Sequence, residues 1–209
     1  MKLVCLLLLT LLGPASAPQP PAVQVAFAPL TKAAYLAAQK SCVTTRPRVT
    51  FPLKKQRGRI VIPTAKGKKV FADVVARGEC GNITYTYWGY WPTLRCHVVR
   101  VQQCGIVHWF LTTEAGQQLE LQGELLEVAP DGQYIASACP NLSLGGPPNN
   151  IQLLALQQDT LREVWHLEPK EWEPVAVCWL SPTTLLLRKR MWTSRNPGTT
   201  YTYARLTIR

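Results

Sequence analysis

The sequence predicts a mainly β fold of small antiparallel sheets stacked on one another, with one short helix near the N-terminus. Three observations predict it. After about residue 58, short runs rich in Val, Ile, Thr, Tyr, Phe and Trp alternate with Pro-, Gly- and Asp-bearing turns. Proline turns then recur at Pro92, Pro130 and Pro182, each leading into an extended run. Helix-favouring composition is confined to one stretch, Thr31 to Ser41. An ordinary β-sandwich fits short strands with regular turns equally well and is the alternative architecture.

The elements follow in order. Lys2, the apolar run Leu3 to Leu12 and Ala15-Ser16-Ala17 read as a signal peptide over residues 1–17. The apolar run is too short to span a bilayer, and no later run approaches that length. Pro18 to Leu30 (PQPPAVQVAFAPL) is uncharged and proline-rich, which reads as an extended linker. Thr31 supplies an N-cap for the alanine-rich helix that follows, so residues 18–45 divide into linker and helix. Residues 46–209 then form a single β-rich domain. Its strands are expected at Arg59 to Ile62, Lys69 to Val74, Ile83 to Tyr90, Leu94 to Gln102, Ile106 to Thr112 and Gln118 to Leu121. Leu125 to Pro140 adds two strands around Pro130-Asp131-Gly132. Further strands are expected at Ile151 to Leu156, Leu161 to Leu167, Val175 to Leu180, Thr184 to Arg190 and Thr200 to Ile208.

The proline turns head units that resemble one another. YWPTLRCHVV, VAPDGQYIAS and LSPTTLLLRK lead to IVHWFLTT, NIQLLALQ and TYTYARLT, and the first two units go on to a fourth strand. The prolines lie 38 and 52 residues apart. Four strands per unit at that period is the signature of a propeller blade. The segment APDGQYIA (Ala129 to Ala136) resembles the S-P-D-G-x-x-I-A turn of propeller repeats of the TolB and WD40-like kind. The resemblance implies blade-like sheets and carries no implication of chemistry. There is sequence for about three units, so the expectation is an incomplete, propeller-like array rather than a closed ring.

Charge is concentrated in the first third. No acidic residue precedes Asp73, and nine of the chain's 23 Lys and Arg residues lie between Arg46 and Lys69. Arg46, Arg48, Lys54, Lys55, Arg57, Arg59, Lys66, Lys68 and Lys69 are therefore candidates for polyanion binding, the alternative being a solvated basic face. Six cysteines follow the signal peptide, an even number suited to disulfides in a secreted or periplasmic protein. Pro92 lies midway between Cys80 and Cys104, so a hairpin turning at that proline would set the two opposite each other and allow a bridge.

The best candidate binding face is the aromatic run Tyr85, Tyr87, Trp88, Tyr90 and Trp91. Strand alternation places Tyr85 and Tyr87 on one face, Trp88 and Tyr90 on the other. Such rings either fill a β-core or stack on a sugar or partner. Trp165, Trp172, Trp179 and Trp192 read as packing between blades. Cys96, Cys104, His97 and His108 form one His/Cys cluster, but it lacks zinc-knuckle spacing, and adjacent Cys96 and His97 point to opposite faces of a strand. No metal, cofactor or catalytic set is assigned. The expected function is a non-enzymatic exported binding module for a protein partner or an acidic glycan, with no specific nucleic-acid partner. A small secreted hydrolase using His97, His108 or His166, and a structural subunit, are the alternatives.

Overall fold

A computed structural model describes residues 23–47, 53, 55–76, 78, 80–142, 147–157, 159–193 and 196–209. The proposed signal peptide, Arg48 and Lys54 lie outside these residues. The described chain is mainly β, with four antiparallel sheets and one short helix.

Three of the sheets have four strands each. Sheet B holds β4 (Ile83–Trp91), β5 (Cys96–Gln103), β6 (Ile106–Thr113) and β7 (Gln118–Gln122) in chain order. Sheet D repeats the meander with β8 (Leu125–Val128), β9 (Tyr134–Cys139), β10 (Asn150–Gln157) and β11 (Thr160–Leu167). Sheet A contains β12 (Trp172–Ser181), β13 (Thr184–Thr193) and β14 (Asn196–Ile208), and its fourth strand is β1 (Val25–Leu30). The two-stranded sheet C pairs β2 (Arg59–Thr64) with β3 (Gly67–Ala72). Pro92, Pro130 and Pro182 lie in the turns between the first and second strands of sheets B, D and A.

The linker expected over residues 18–30 needs correction at its C-terminal end. Val25 to Leu30 pairs antiparallel with β14, from Val25 opposite Ile208 to Leu30 opposite Tyr203. Pro29 is tolerated because β1 is an edge strand, where a missing N–H breaks no inner ladder. The third unit, which ends after three strands in sequence, thus acquires its fourth from the opposite end of the chain.

Strand alternation makes the sheets stack. Val98, Val107, Trp109 and Leu111 of sheet B meet Ile135, Leu154 and Leu161 of sheet D. The opposite face of sheet D, with Ala136, Ala138, Ile151 and Leu153, meets Trp179, Leu185, Leu187 and Leu206 of sheet A. The second face of sheet B, through Val99, Phe110, Tyr85 and Tyr87, is covered by Ile60, Ile62 and Phe71 of sheet C. The order of the stack is therefore C, B, D, A. Trp179 is fully buried and donates its indole N–H to the Glu127 carbonyl at 3.1 Å, so this large side chain is buried without an orphaned donor.

Helix and sheet C residues from the N-terminal third cover the outer faces of sheets A and B. Helix α1 (Lys32–Gln39) begins at Thr31, whose hydroxyl accepts from the Ala34 N–H at 3.1 Å. It lies against sheet A, with Tyr35 buried and its ring 4.7 Å from that of Tyr203. An eight-residue helix is marginal by itself, and this docking supplies the burial it needs. Cys42 then bonds to Cys178 on β12. From there residues 43–47 run past the first strand of each sheet in turn. Val43 donates to the Trp179 carbonyl of β12 at 2.8 Å, Arg46 faces Glu127 of β8, and Pro47 lies against Gly89 of β4. Exposed sheet edges invite unwanted pairing, and this strap covers three of them before the chain enters sheet C.

Candidate functional site

A bulge decides where the aromatic run points. The register between β4 and β5 shifts between Tyr87 and Gly89, leaving Trp88 without a partner on β5. Beyond it Tyr90 pairs with His97 and Trp91 with Cys96. The expected sharing of a face by Trp88 and Tyr90 is therefore incorrect. Tyr85, Tyr87 and Tyr90 look toward sheet C and its surroundings. Tyr85 and Tyr87 pack in that cluster, and the Tyr87 hydroxyl lies 3.0 Å from His97 Nδ1. Trp88 joins Trp91 on the other side, its ring 5.5 Å from Trp109 at an interplanar angle of 76°.

That rearrangement builds a cleft. A cavity of about 460 Å³ is lined by Trp88, Trp91 and Trp109, by Leu126 and Glu127 of β8, and by Thr44 to Pro47 of the strap. Trp88 is 48% exposed, whereas Trp91 and Trp109 are buried. The indole N–H groups of Trp91 and Trp109 have no hydrogen-bond partner. Gly89 (φ 149°) permits the close approach of the strap, because a Cβ there would sit 2.8 Å from the Pro47 Cβ. The cleft thus depends on a contact between residues 42 positions apart in the chain.

Two glutamates in the neighbouring sheets illustrate the polarity of this site. Glu173 is fully buried, yet its carboxylate accepts from the Leu142 N–H at 2.6 Å, from Arg190 Nε at 2.7 Å and from the Trp192 indole. Burial pushes its pKa up, but these donors outweigh it and hold the group below the usual carboxylate range. Glu127 is half-buried, and among the described residues its carboxyl has no hydrogen bond, Arg46 being its electrostatic neighbour. Burial raises its pKa to about 7, offset in part by the positive charge of Arg46. Glu173 is a saturated structural anion; Glu127 is an acid of raised pKa in the cleft that the three tryptophans line.

The basic residues separate into distinct settings. Arg46 lines the cleft. Lys55 is paired with Asp73 and also donates to the Tyr85 carbonyl at 2.8 Å, so it anchors the strap. Lys69 is half-buried on the inward side of β3, while Arg57, Arg59, Lys66 and Lys68 are exposed on sheet C. The seven candidates among the described residues do not form one surface.

The cysteines and histidines are also dispersed. The structure contains a Cys80–Cys104 disulfide, but the hairpin does not pivot on Pro92. Trp91 pairs with Cys96 across the turn, and near the bridge Ile83 pairs with Gln103. Cys80 lies before β4 and Cys104 in the β5–β6 turn, so the bridge joins two loops rather than directly opposed strand residues. Cys96 and Cys139 are buried free thiols; burial raises the pKa of both, that of Cys139 to about 11. His97 is buried beside Tyr87 and Tyr90. His108 faces Glu120 at 3.3 Å, and His166 lies between Glu163 and Glu168 at 3.3 and 3.4 Å. Among the described residues no three His, Cys, Asp or Glu side chains are grouped to hold a metal ion.

His97 also borders a second cavity, of about 540 Å³, with Arg95, Glu114 and Asp159. Arg95 reaches Glu114 at 2.9 Å and Asp159 at 3.2 Å, while the Tyr90 hydroxyl donates to Glu114. These pairs tie the turns of sheets B and D together and leave one net negative charge. Glu127 and Trp109 were not singled out by the sequence pattern, and Arg46 appeared only as one base among nine. The signal that unites them is the path of the strap, which local periodicity does not encode.

Comparison with protein-family profiles, with curated proteins and with solved structures finds no match to this chain. Its two disulfides are compatible with an oxidising, extracytoplasmic compartment, and no helix among the described residues is long and apolar enough to cross a membrane.

Proposed function

We propose that this protein is an exported, non-enzymatic binding module whose ligand is an acidic glycan seated in the tryptophan cleft. The observation that carries this reading is the combination of a half-exposed Trp88 ring with the Glu127 carboxyl and the Arg46 guanidinium in one cavity. A pyranose ring has an apolar C–H face that stacks on an indole, and hydroxyls that pair with a carboxyl group. A uronate or sulfate on the same sugar pairs with Arg46 through charge-assisted hydrogen bonds. The dispersed histidines lend no support to the hydrolase alternative.

In the same reading the three four-stranded sheets are blades of an incomplete propeller of the TolB or WD40-like kind. Their common strand order, the proline turns and the completion of sheet A by β1 support it. The blades act as the rigid frame, and the cleft lies where the strap passes two of them.

Intrinsic tryptophan fluorescence titrated with uronate-containing oligosaccharides and with heparin fragments tests the proposal. The wild-type protein gives a saturable change. Trp88→Ala loses about 5- to 150-fold in affinity, in line with about 1–3 kcal/mol for a stacked ring, while Arg46→Gln loses affinity for charged sugars only. Because ionised Glu127 repels an anion, affinity falls as pH rises through about 7, and Glu127→Gln removes that dependence. Equal binding by wild type and Trp88→Ala would sink this reading.

A further inference from the structure

Sheet C has a free outer face of unusual chemistry. Its inner face buries Ile60, Ile62 and Phe71 on sheet B. Alternation sends Arg59, Val61 and Pro63 of β2, with Lys68, Val70 and Ala72 of β3, to the other side. The register sets Arg59 opposite Ala72, Val61 opposite Val70 and Pro63 opposite Lys68. Two valines, 40% and 47% exposed, thus occupy the middle, and a base stands at each of two diagonal corners. Arg57 and Lys66 extend the positive rim into the turns at either end of the hairpin. Val75, 90% exposed, follows β3 closely in the chain.

None of Arg57, Arg59, Lys66 and Lys68 has a carboxylate partner among the described residues. Asp73, the nearest acid in sequence, is occupied by Lys55. No other acid lies anywhere in residues 1–73, so no acid of the hairpin itself neutralises the rim, and Glu114, the acid beside the Lys66 turn, is taken up by Arg95 and Tyr90. The occupant must therefore be anionic and must also have an apolar layer for the valines. A soluble polyanion satisfies the bases but leaves Val61 and Val70 in water. A second copy of this face brings like charges together. An anionic bilayer presents phosphate at the height of the basic rim and hydrocarbon beneath it, matching both components.

We propose that the outer face of sheet C docks on anionic lipid, with Val61 and Val70 entering the interface and Arg57, Arg59, Lys66 and Lys68 holding headgroup phosphates. This surface is separate from the tryptophan cleft, lying at the end of the stack beyond sheet B. It holds the module peripherally, without a membrane span. The glycan-binding reading is independent of it: either can fail alone.

The test is co-sedimentation of the full chain with vesicles of phosphatidylcholine alone and of equal parts phosphatidylcholine and phosphatidylglycerol, alongside retention on a heparin column. Wild-type protein binds the anionic vesicles, not the neutral ones, and salt releases it. Each base near the surface is worth about fivefold in partitioning, so Arg59→Gln with Lys68→Gln lowers vesicle binding about 25-fold and weakens heparin retention as well. Val61→Thr with Val70→Thr keeps β-branched shape at exposed positions. It lowers vesicle binding severalfold and leaves heparin retention unchanged. Hydrogen exchange on wild-type protein gives a readout free of variants: anionic vesicles slow exchange in residues 59–75 and leave the cleft strands unaffected. Unchanged vesicle binding by the threonine variant makes this a simple polyanion face and overturns the proposal. Absence of vesicle binding, or protection located elsewhere, overturns it too.

Discussion

From Ile83 to Ile208 the sheets bury side chains against their neighbours, whereas the described residues of the strap, 42–47, 53, 55 and 56, touch the sheets at separate points. In the stack a leucine such as Leu154 is enclosed by two sheets, and its burial contributes about 2–3 kcal/mol. In the strap the attachments are one disulfide, the Val43–Trp179 bridge, the approach of Pro47 to Gly89 and the anchorage of Lys55. A surface built from many burials tolerates the loss of one. A segment held at a few separate points moves when one is released. The cleft has walls of both kinds, so its integrity reports on the strap before it reports on the stack.

The disulfides should separate the two regions most widely. Cys42–Cys178 spans 136 residues and Cys80–Cys104 spans 24. Chain entropy gives upper figures of about 5 and about 3.5 kcal/mol for the two. Denaturant melts of Cys42→Ser with Cys178→Ser should show the larger loss, together with loss of ligand-induced fluorescence change in protein that is still folded. Cys80→Ser with Cys104→Ser should lower stability and leave the cleft working. A cleft that survives loss of the first bridge would show that the strap does not depend on it.

Two glycines draw the same contrast on a smaller scale. Gly132 in the Pro-Asp-Gly turn has φ 73°, and a Cβ there would fall 2.2 Å from the Thr93 hydroxyl of the neighbouring turn. Gly132→Ala therefore costs about 2–3 kcal/mol in a global melt. Gly89→Ala meets Pro47 instead, at 2.8 Å. It should cost about 1–2 kcal/mol and weaken ligand binding more than its stability loss implies, because the strap yields before the sheet does.

The smallest effect has the opposite sign. Glu127 carries a folded-state pKa of about 7 against about 4.3 in the unfolded chain. Between those values the folded protein holds the proton more tightly, so stability declines as pH rises from about 4 to about 7. Replacement by Gln should stabilise the protein by about 1–2 kcal/mol at pH 8, after allowing for partial solvent access, and change nothing at pH 4. A melt series across pH measures this directly.

Much of the stack was legible because it is written in short range. IVHWFLTT and NIQLLALQ have the β-rich character of their strands, and Pro92, Pro130 and Pro182 mark real turns. The helix was visible from Thr31 and its alanines. The parts that were not legible depend on distant partners. Val25 to Leu30 has prolines before and within it and becomes a strand only because β14 offers an open edge. One unpaired residue, Trp88, reverses the face on which Tyr90 lies, and alternation has no means of announcing a bulge. The candidate cleft shares this character: Trp88 and Trp91 were visible as an aromatic run, but Arg46, Trp109 and Glu127 meet them only in three dimensions.

The pairing of β1 with β14 fixes an order of events for the growing chain. The ribosome makes Val25 183 residues before Ile208, yet the two stand opposite each other in sheet A. β1 therefore has no partner strand until β14 has been made. A chain interrupted before β14 has no seat for β1, so the thirteen residues of β14 decide whether sheet A can close.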